Sequence, residues 1–143
     1  MKIVTTLPPL VDEILLVFPT AKPARAFFTW GDTIHNPWGA KVLASHIAHE
    51  QVHANRQGSD PESWWRRYLI DPQFRLDEEL PAHQAEYRWH CLQPGSDRPV
   101  TGWRSRRAFC LHHIAGRLSG PLYGGLISYP HAKQAIAAGA VGL

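Results

Sequence analysis

The residues best equipped for chemistry are His49-Glu50-Gln51-Val52-His53. In a helix, positions i and i+4 lie one above the other on the same face, about 6 Å apart along the axis. Two imidazoles so placed can converge on one zinc ion at ~2.0–2.1 Å from each nitrogen. Glu50, beside the first imidazole, can reach a water at the metal without binding the metal itself. That is the placement of a general base for a water whose pKa a metal has lowered towards ~7. Nine of the 143 residues are histidine. At that frequency the run is expected by chance roughly 0.02 times, which favours a metal site over two incidental surface histidines.

Catalytic zinc ordinarily takes three protein ligands and a water. Glu78, Glu79, His83 and Glu86 are available downstream, on or near a helix that the pattern starts at Asp77. Glu79, His83 and Glu86 fall at i, i+4 and i+7, on one helical face. Glu79 and Glu86 are two turns apart, about 10 Å along the axis, so only one of them can reach the ion. Glu79 has the shorter tether to the chain reversal at Asp71-Pro72, and Ala82, a turn later, lets two helices approach closely. Glu86 has Tyr87 and Arg88 beside it, and Arg88 offers it a solvent-side partner. These features favour Glu79. With Pro81 so near, they also require Glu79 to lie in the first helical turn. The competing description of this segment is an acidic helix start favoured by the macrodipole.

The pair His49-Glu50-x-x-His53 and Glu79-Leu80-Pro81-Ala82-His83 resembles the gluzincin class of zinc metallopeptidases, in which a glutamate is the third ligand. In several branches a small residue follows three positions after that glutamate and a polar one four positions after. The chain's size and layout are also similar to minigluzincins and to short phage- and prophage-type zincins. The resemblance covers roughly residues 25–90, with weaker echoes over Leu118–Tyr123. It implies a zincin-like fold, zinc held by His49, His53 and Glu79, and peptide-bond hydrolysis with Glu50 as the base. His83 departs from the pattern, standing where many relatives carry an acid.

These residues need elements to position them. Ala40–Gln57 has no internal Gly or Pro and reads as the motif helix, stopped by Gly58 in a position that favours left-handed backbone. Ser59-Asp60-Pro61-Glu62 starts the next helix, with Ser59 or Asp60 as cap and Glu62 completing a capping box with Ser59. That helix ends at Asp71-Pro72, and another runs from about Asp77 to His90. Leu7–Phe18 reads as a short amphipathic helix with Pro9 in its first turn. Arg25–Trp30 and Thr33–His35 read as strands joined at Gly31-Asp32. Gln93–Gly102 is a loop, Trp103–Leu118 a helix, Tyr123-Gly124-Gly125 a turn, and Pro130–Ala138 a last helix. The expected fold is a mainly helical α+β, zincin-like single domain over 1–143, with a small sheet beside the motif helix.

Other polar residues draw weaker expectations. Tyr123, between Pro121 and Gly124-Gly125, can place a phenol near a developing oxyanion. Tyr87, His112 and His113 compete for that role, though each is more simply a packing or surface residue. His46 is a turn before His49 and either lines the cleft or is a polar neighbour. Trp64, Trp65 and Trp89 read as packing between helices. Arg104, Arg106, Arg107 and Arg117 read as a solvated basic face. Cys91 and Cys110 lack metal-ligand spacing and read as reduced, buried thiols.

Composition narrows the classes. Hydrophobic residues make up 44% and charged residues 19%, which is globular rather than disordered. No apolar run approaches the ~18 residues of a membrane span, and Pro8, Pro9, Asp12 and Glu13 interrupt any signal-peptide core. The net charge of +3 is small and scattered, a poor footprint for nucleic acid. The expectation is a zinc peptidase acting on a peptide or protein substrate, cytoplasmic, or virion-associated if phage-encoded. Its rival is a non-catalytic zinc protein of zincin fold, such as a virion or assembly component with other phage proteins as partners. A basic nucleic-acid-binding domain is a weaker third reading.

Overall fold

The computed structural model describes residues 1–143. Three short strands, β1 (Lys2–Val4), β2 (Phe28–Trp30) and β3 (Thr33–His35), form a sheet of order β1-β3-β2. β1 runs parallel to β3, with Ile3 opposite Ile34, and β2 runs antiparallel to it, with Thr29 opposite Ile34. The helices are α1 (Val11–Val17), α2 (Ala44–Gln57), α3 (Pro61–Ile70), α4 (Pro72–Cys91), α5 (Arg106–Leu118) and α6 (Tyr129–Ala138), with a 3-10 turn at Pro121–Tyr123. This is the mainly helical α+β fold with a small sheet that the sequence pattern predicts. No helix is long and apolar enough to cross a membrane.

Several boundaries differ from the sequence reading. β1 is not visible in the pattern, because it is three residues long and two of them are exposed. Of Arg25–Trp30, only the last three residues are strand, since Arg25 adopts a left-handed backbone (φ 53°) that breaks extension. α1 begins at Val11 rather than Leu7, because Leu10 is also left-handed (φ 57°). α2 starts four residues after Ala40, where His46 Nδ1 accepts the Leu43 N–H at 3.2 Å. Asp60, not Ser59, caps α3: its carboxylate accepts the Ser63 N–H at 3.0 Å, while Glu62 turns to Arg66 at 2.6 Å.

The largest difference concerns α4. Asp71-Pro72 ends α3, as expected, but it also starts α4, with the Asp71 carboxylate accepting the Phe74 N–H at 3.0 Å and Pro72 at the first helical position. A proline there loses no helical hydrogen bond. Glu79 therefore lies two turns into a 20-residue helix, and Pro81 is in its interior. Pro81 has no N–H for the Asp77 carbonyl. Arg56 of α2 reaches that carbonyl at 3.5 Å instead, so the helix continues through the proline with a tie to α2.

Apolar packing forms two clusters. Ile14, Phe18, Ala21, Phe28, Trp64, Trp65 and Tyr68 make the first, between α1, the sheet and α3. Tyr87, Ile114, Ala115, Leu118, Ala132 and Ile136 make the second, between α4, α5 and α6. Trp64 and Trp65 are core residues as expected, whereas Trp89 is half-buried against His90. Cys91 and Cys110 are free, but half-buried rather than buried, at the edge of the second cluster. Between the clusters, α2 packs on α4 across a polar seam: His49, Glu50, His53, Glu79, His83 and Glu86 are all buried. Ala82 is fully buried there and leaves the helices room to meet. Taking a charged group out of water costs several kcal/mol even after relaxation. A seam of this composition is a candidate functional site.

Candidate metal centre

α2 presents His49 and His53 on the face towards α4, and α4 presents Glu79 back to them. His49 Nε2 and His53 Nε2 are 3.1 Å apart. Glu79 places one carboxylate oxygen 3.4 Å from His53 Nε2 and the other 3.6 Å from His49 Nε2. Four ligands set tetrahedrally at ~2.0–2.1 Å from zinc are separated by about 3.3–3.4 Å. The three distances bracket that spacing, the two to Glu79 running to different oxygens of its carboxylate. Two ring nitrogens facing each other at such a distance need a cation or a proton between them, and the carboxylate supplies the compensating charge. Two imidazoles and a carboxylate so close together are a donor set that could hold a divalent metal ion.

His83 is close by as well. Ligand atoms of His49, Glu79 and His83 lie within 4.8 Å of one another. His83 Nδ1 meets the Glu79 carbonyl at 2.8 Å, and its Nε2 is buried with no partner. Its ring stands 4.6 Å from that of His49 and 5.5 Å from that of Tyr123. Burial and the neighbouring His49 charge push the His83 imidazole down to about 3, so it is neutral.

The remaining acidic candidates separate by partner. Glu78 faces the other way, gripping Arg56 at 2.7 and 2.8 Å and accepting the Trp64 indole N–H at 2.9 Å. Glu86 comes within 3.4 Å of His49 at Nδ1, the nitrogen facing away from Glu79, and its other oxygen accepts from Arg117. It thus approaches the side of the His49 ring that faces away from Glu79, where a carboxylate can favour one ring orientation by charge. Arg88 is bonded instead to the Gly139 carbonyl at 3.0 Å, so the solvent-side partner expected for Glu86 is not the one it has.

Electrostatics follow from this packing. Burial by itself would lower the pKa of His49, but Glu79 and Glu86 at its two nitrogens, with Glu50 nearby, hold it up at about 10. Burial would likewise raise Glu79, yet the imidazoles of His53 and His49 keep it well below the usual carboxylate range. Tyr68 donates its hydroxyl hydrogen to Glu79, and burial together with that carboxylate raises the phenol well above its ordinary value. Glu86, resisting burial through His49 and Arg117, is held at about 2.

Glu50 is not part of the ligand triangle. One of its oxygens accepts the Thr29 hydroxyl at 2.6 Å, and the other lies 3.9 Å from His49 Nε2, the nitrogen that faces His53 and Glu79. Thr29 is itself fixed: its carbonyl accepts from Gln57 at 2.8 Å and from the Trp65 indole at 2.9 Å. Gln57 also accepts the Gly31 N–H at 2.7 Å, pinning the β2–β3 turn to the end of α2. Tyr123 lines the cleft beside Glu50, its carbonyl 3.5 Å from Arg75, while burial pushes its phenol well above the ordinary value. Its competitors are elsewhere: Tyr87 is in the second apolar cluster, His112 meets the Tyr129 hydroxyl at 2.7 Å, and His113 packs on Phe109.

A cavity of about 70 Å³ opens on His49, Glu50, His53 and Glu79, with Phe18, Phe28, Trp64 and Trp65 among its apolar walls. The sequence reading missed Thr29, Gln57 and Tyr68 as supports. A signal existed for Gln57, which is four residues after His53 and so continues the ligand-bearing face of α2 as a buried polar residue. His46 is on the cleft wall. Of the expected basic face, Arg107 pairs with Asp97 and Arg117 with Glu86, while Arg104 and Arg106 are exposed. Comparison with protein-family models, with curated proteins and with solved structures finds no match.

Proposed function

We propose that the protein is a zinc-dependent peptidase of gluzincin type. The observation that carries this reading is the convergence of His49, His53 and Glu79 at edges of 3.1, 3.4 and 3.6 Å, with a separate carboxylate, Glu50, held beside them. A zinc ion there would be bound by these three residues, and it would lower the pKa of a water and polarise a carbonyl. Glu50 takes a proton from the attacking water and delivers it to the leaving amine. Thr29 holds one Glu50 oxygen, which leaves the other free for that transfer. Tyr123, neutral at working pH, donates a hydrogen bond to the oxygen that becomes anionic. Tyr68 and Glu86 keep Glu79 and His49 oriented.

The alternative is a zinc protein of the same fold with no turnover. Glu50 weighs against it, since a purely structural site has no use for a buried, hydrogen-bonded carboxylate outside the ligand set. The test is metal content and peptide cleavage in Glu50→Gln. The wild type and the variant should each hold about one zinc per chain, and the variant should lose about 10²–10⁴ in rate. His49→Ala and His53→Ala should lose the metal. Full zinc retention in both, or unchanged turnover in Glu50→Gln, would overturn the assignment.

A further inference from the structure

A second cavity, of about 310 Å³, adjoins the first and shares His49, Glu50, Phe27, Leu122 and Tyr123 with it. Its outer wall carries Arg25, Lys41 and Arg117. Arg117 is already paired with Glu86. Arg25 and Lys41 are exposed at the rim and form no ion pair. Both sit on loops that are tied down. Arg25 is in a left-handed turn (φ 53°) closed by its N–H to the Lys22 carbonyl at 3.0 Å. Lys41 follows Ala40, whose N–H and carbonyl are both bonded to the Asn36 side chain, at 3.0 and 2.8 Å. A left-handed arginine is uncommon and is kept only where the surroundings enforce it.

Of the two carboxylates that face this groove, Glu86 is paired with Arg117, while Glu50 keeps its charge, its partner Thr29 being a neutral hydroxyl. Arg25 and Lys41 together outnumber the Glu50 charge, so the balance along the groove is positive. The cleft thus has an apolar side, walled by Phe18, Phe28 and Trp65, and a cationic side. We infer that the substrate is a peptide bearing a carboxylate close to the bond presented to Glu50, with that carboxylate held by Arg25 and Lys41. This rests on the peptidase reading and narrows its substrate class. A groove of 310 Å³ is at the small end of ligand pockets, ~300–1,000 Å³, and suits a short stretch of peptide. A phosphodiester chain entering it would run its next charges towards Glu50, whose charge has no cationic partner, so nucleic acid is disfavoured.

The carboxylate can belong to an acidic side chain or to a peptide C-terminus, and binding to zinc-loaded Glu50→Gln protein separates the two. Four versions of one peptide are titrated calorimetrically at low and high salt: acidic side chain or its amide, each with a free or an amidated C-terminus. The form carrying the recognised carboxylate should bind about 10-fold tighter than its neutral counterpart, the sum of two exposed ion pairs, and salt should erode the difference. Arg25→Ala/Lys41→Ala should retain zinc and bind charged and neutral peptides alike. Neutral and acidic peptides binding equally to Glu50→Gln protein that keeps Arg25 and Lys41 would overturn the inference while leaving the peptidase reading in place. An oligonucleotide that displaces the acidic peptide and loses affinity in Arg25→Ala/Lys41→Ala would also overturn it, making the groove a nucleic-acid site. Failure to hold zinc would remove the peptidase reading, and the inference with it.

Discussion

Glu86 offers the sharpest test of how the seam works, because it touches His49 at the nitrogen facing away from Glu79. Glu86→Gln keeps the shape of the side chain but removes its charge. Glu86 approaches Nδ1 at 3.4 Å through one oxygen and Arg117 through the other. Outer partners of this kind contribute 10- to 100-fold to metal affinity, or about 1.4–2.7 kcal/mol. Zinc binding, measured by competition with a chelator at neutral pH, should weaken by that amount. Glu79→Ala, which removes a ligand, should weaken it further. Arg117→Ala has the opposite sign for the metal: it leaves the Glu86 charge unneutralised beside His49, so affinity should hold or rise while the fold loses stability. If Arg117→Ala weakened zinc as much as Glu86→Gln did, Glu86 would be acting only through its ion pair. If Glu86→Ala cost more than Glu79→Ala, Glu86 would be the ligand.

Thr29→Val removes the donor to Glu50 and leaves a buried carboxylate oxygen unpaired. The variant should keep its zinc, lose about 1–3 kcal/mol in denaturant titrations and cleave peptides more slowly, and Thr29→Ser should restore the rate. His83 predicts a pH dependence of the metal-free protein. Folding keeps its imidazole neutral down to about 3, whereas the unfolded imidazole takes up a proton below ~6.5. The unfolded state therefore binds more protons in that window. Stability should fall as pH drops below ~6.5, with up to about 1.4 kcal/mol per unit arising from this residue. His83→Gln should flatten the slope between about pH 6.5 and 5, as read from urea midpoints; an unchanged slope would refute the assignment.

That His49 and His53 share a face of α2 is legible in the sequence because one uninterrupted helix carries both, so spacing alone determines their geometry. Glu79 is legible for a different reason: a chain reversal returns its segment to α2, and Ala82 permits close approach. The reversal itself is misread. Asp-Pro stops a helix, but Asp is also a good cap and Pro a good first residue, and only the tertiary context shows that both apply at Asp71-Pro72. Pro81 then sits where propensity forbids it, and the compensation is Arg56, 21 residues away from the Asp77 carbonyl it meets. The supports of the site are harder to see. Thr29 and Tyr68 are single polar residues in apolar surroundings, and their partners lie 21 and 11 residues away. No local pattern encodes such pairings.

The polar seam has a consequence for how the chain can come apart. It divides the apolar packing, so that α5 and α6 dock against the second half of α4 with a cluster of their own. The Gln93–Gly102 segment is the tether between that hairpin and everything before it. A cut in this tether would leave a fragment holding His49, Glu50, His53, Glu79 and Glu86, and a second one holding Arg117 and Tyr123. Neither piece has the whole site, yet each keeps one side of a ready-made apolar joint. A nicked protein should therefore behave as a two-piece assembly, its activity rising with fragment concentration as the hairpin returns Arg117 to Glu86 and Tyr123 to the cleft.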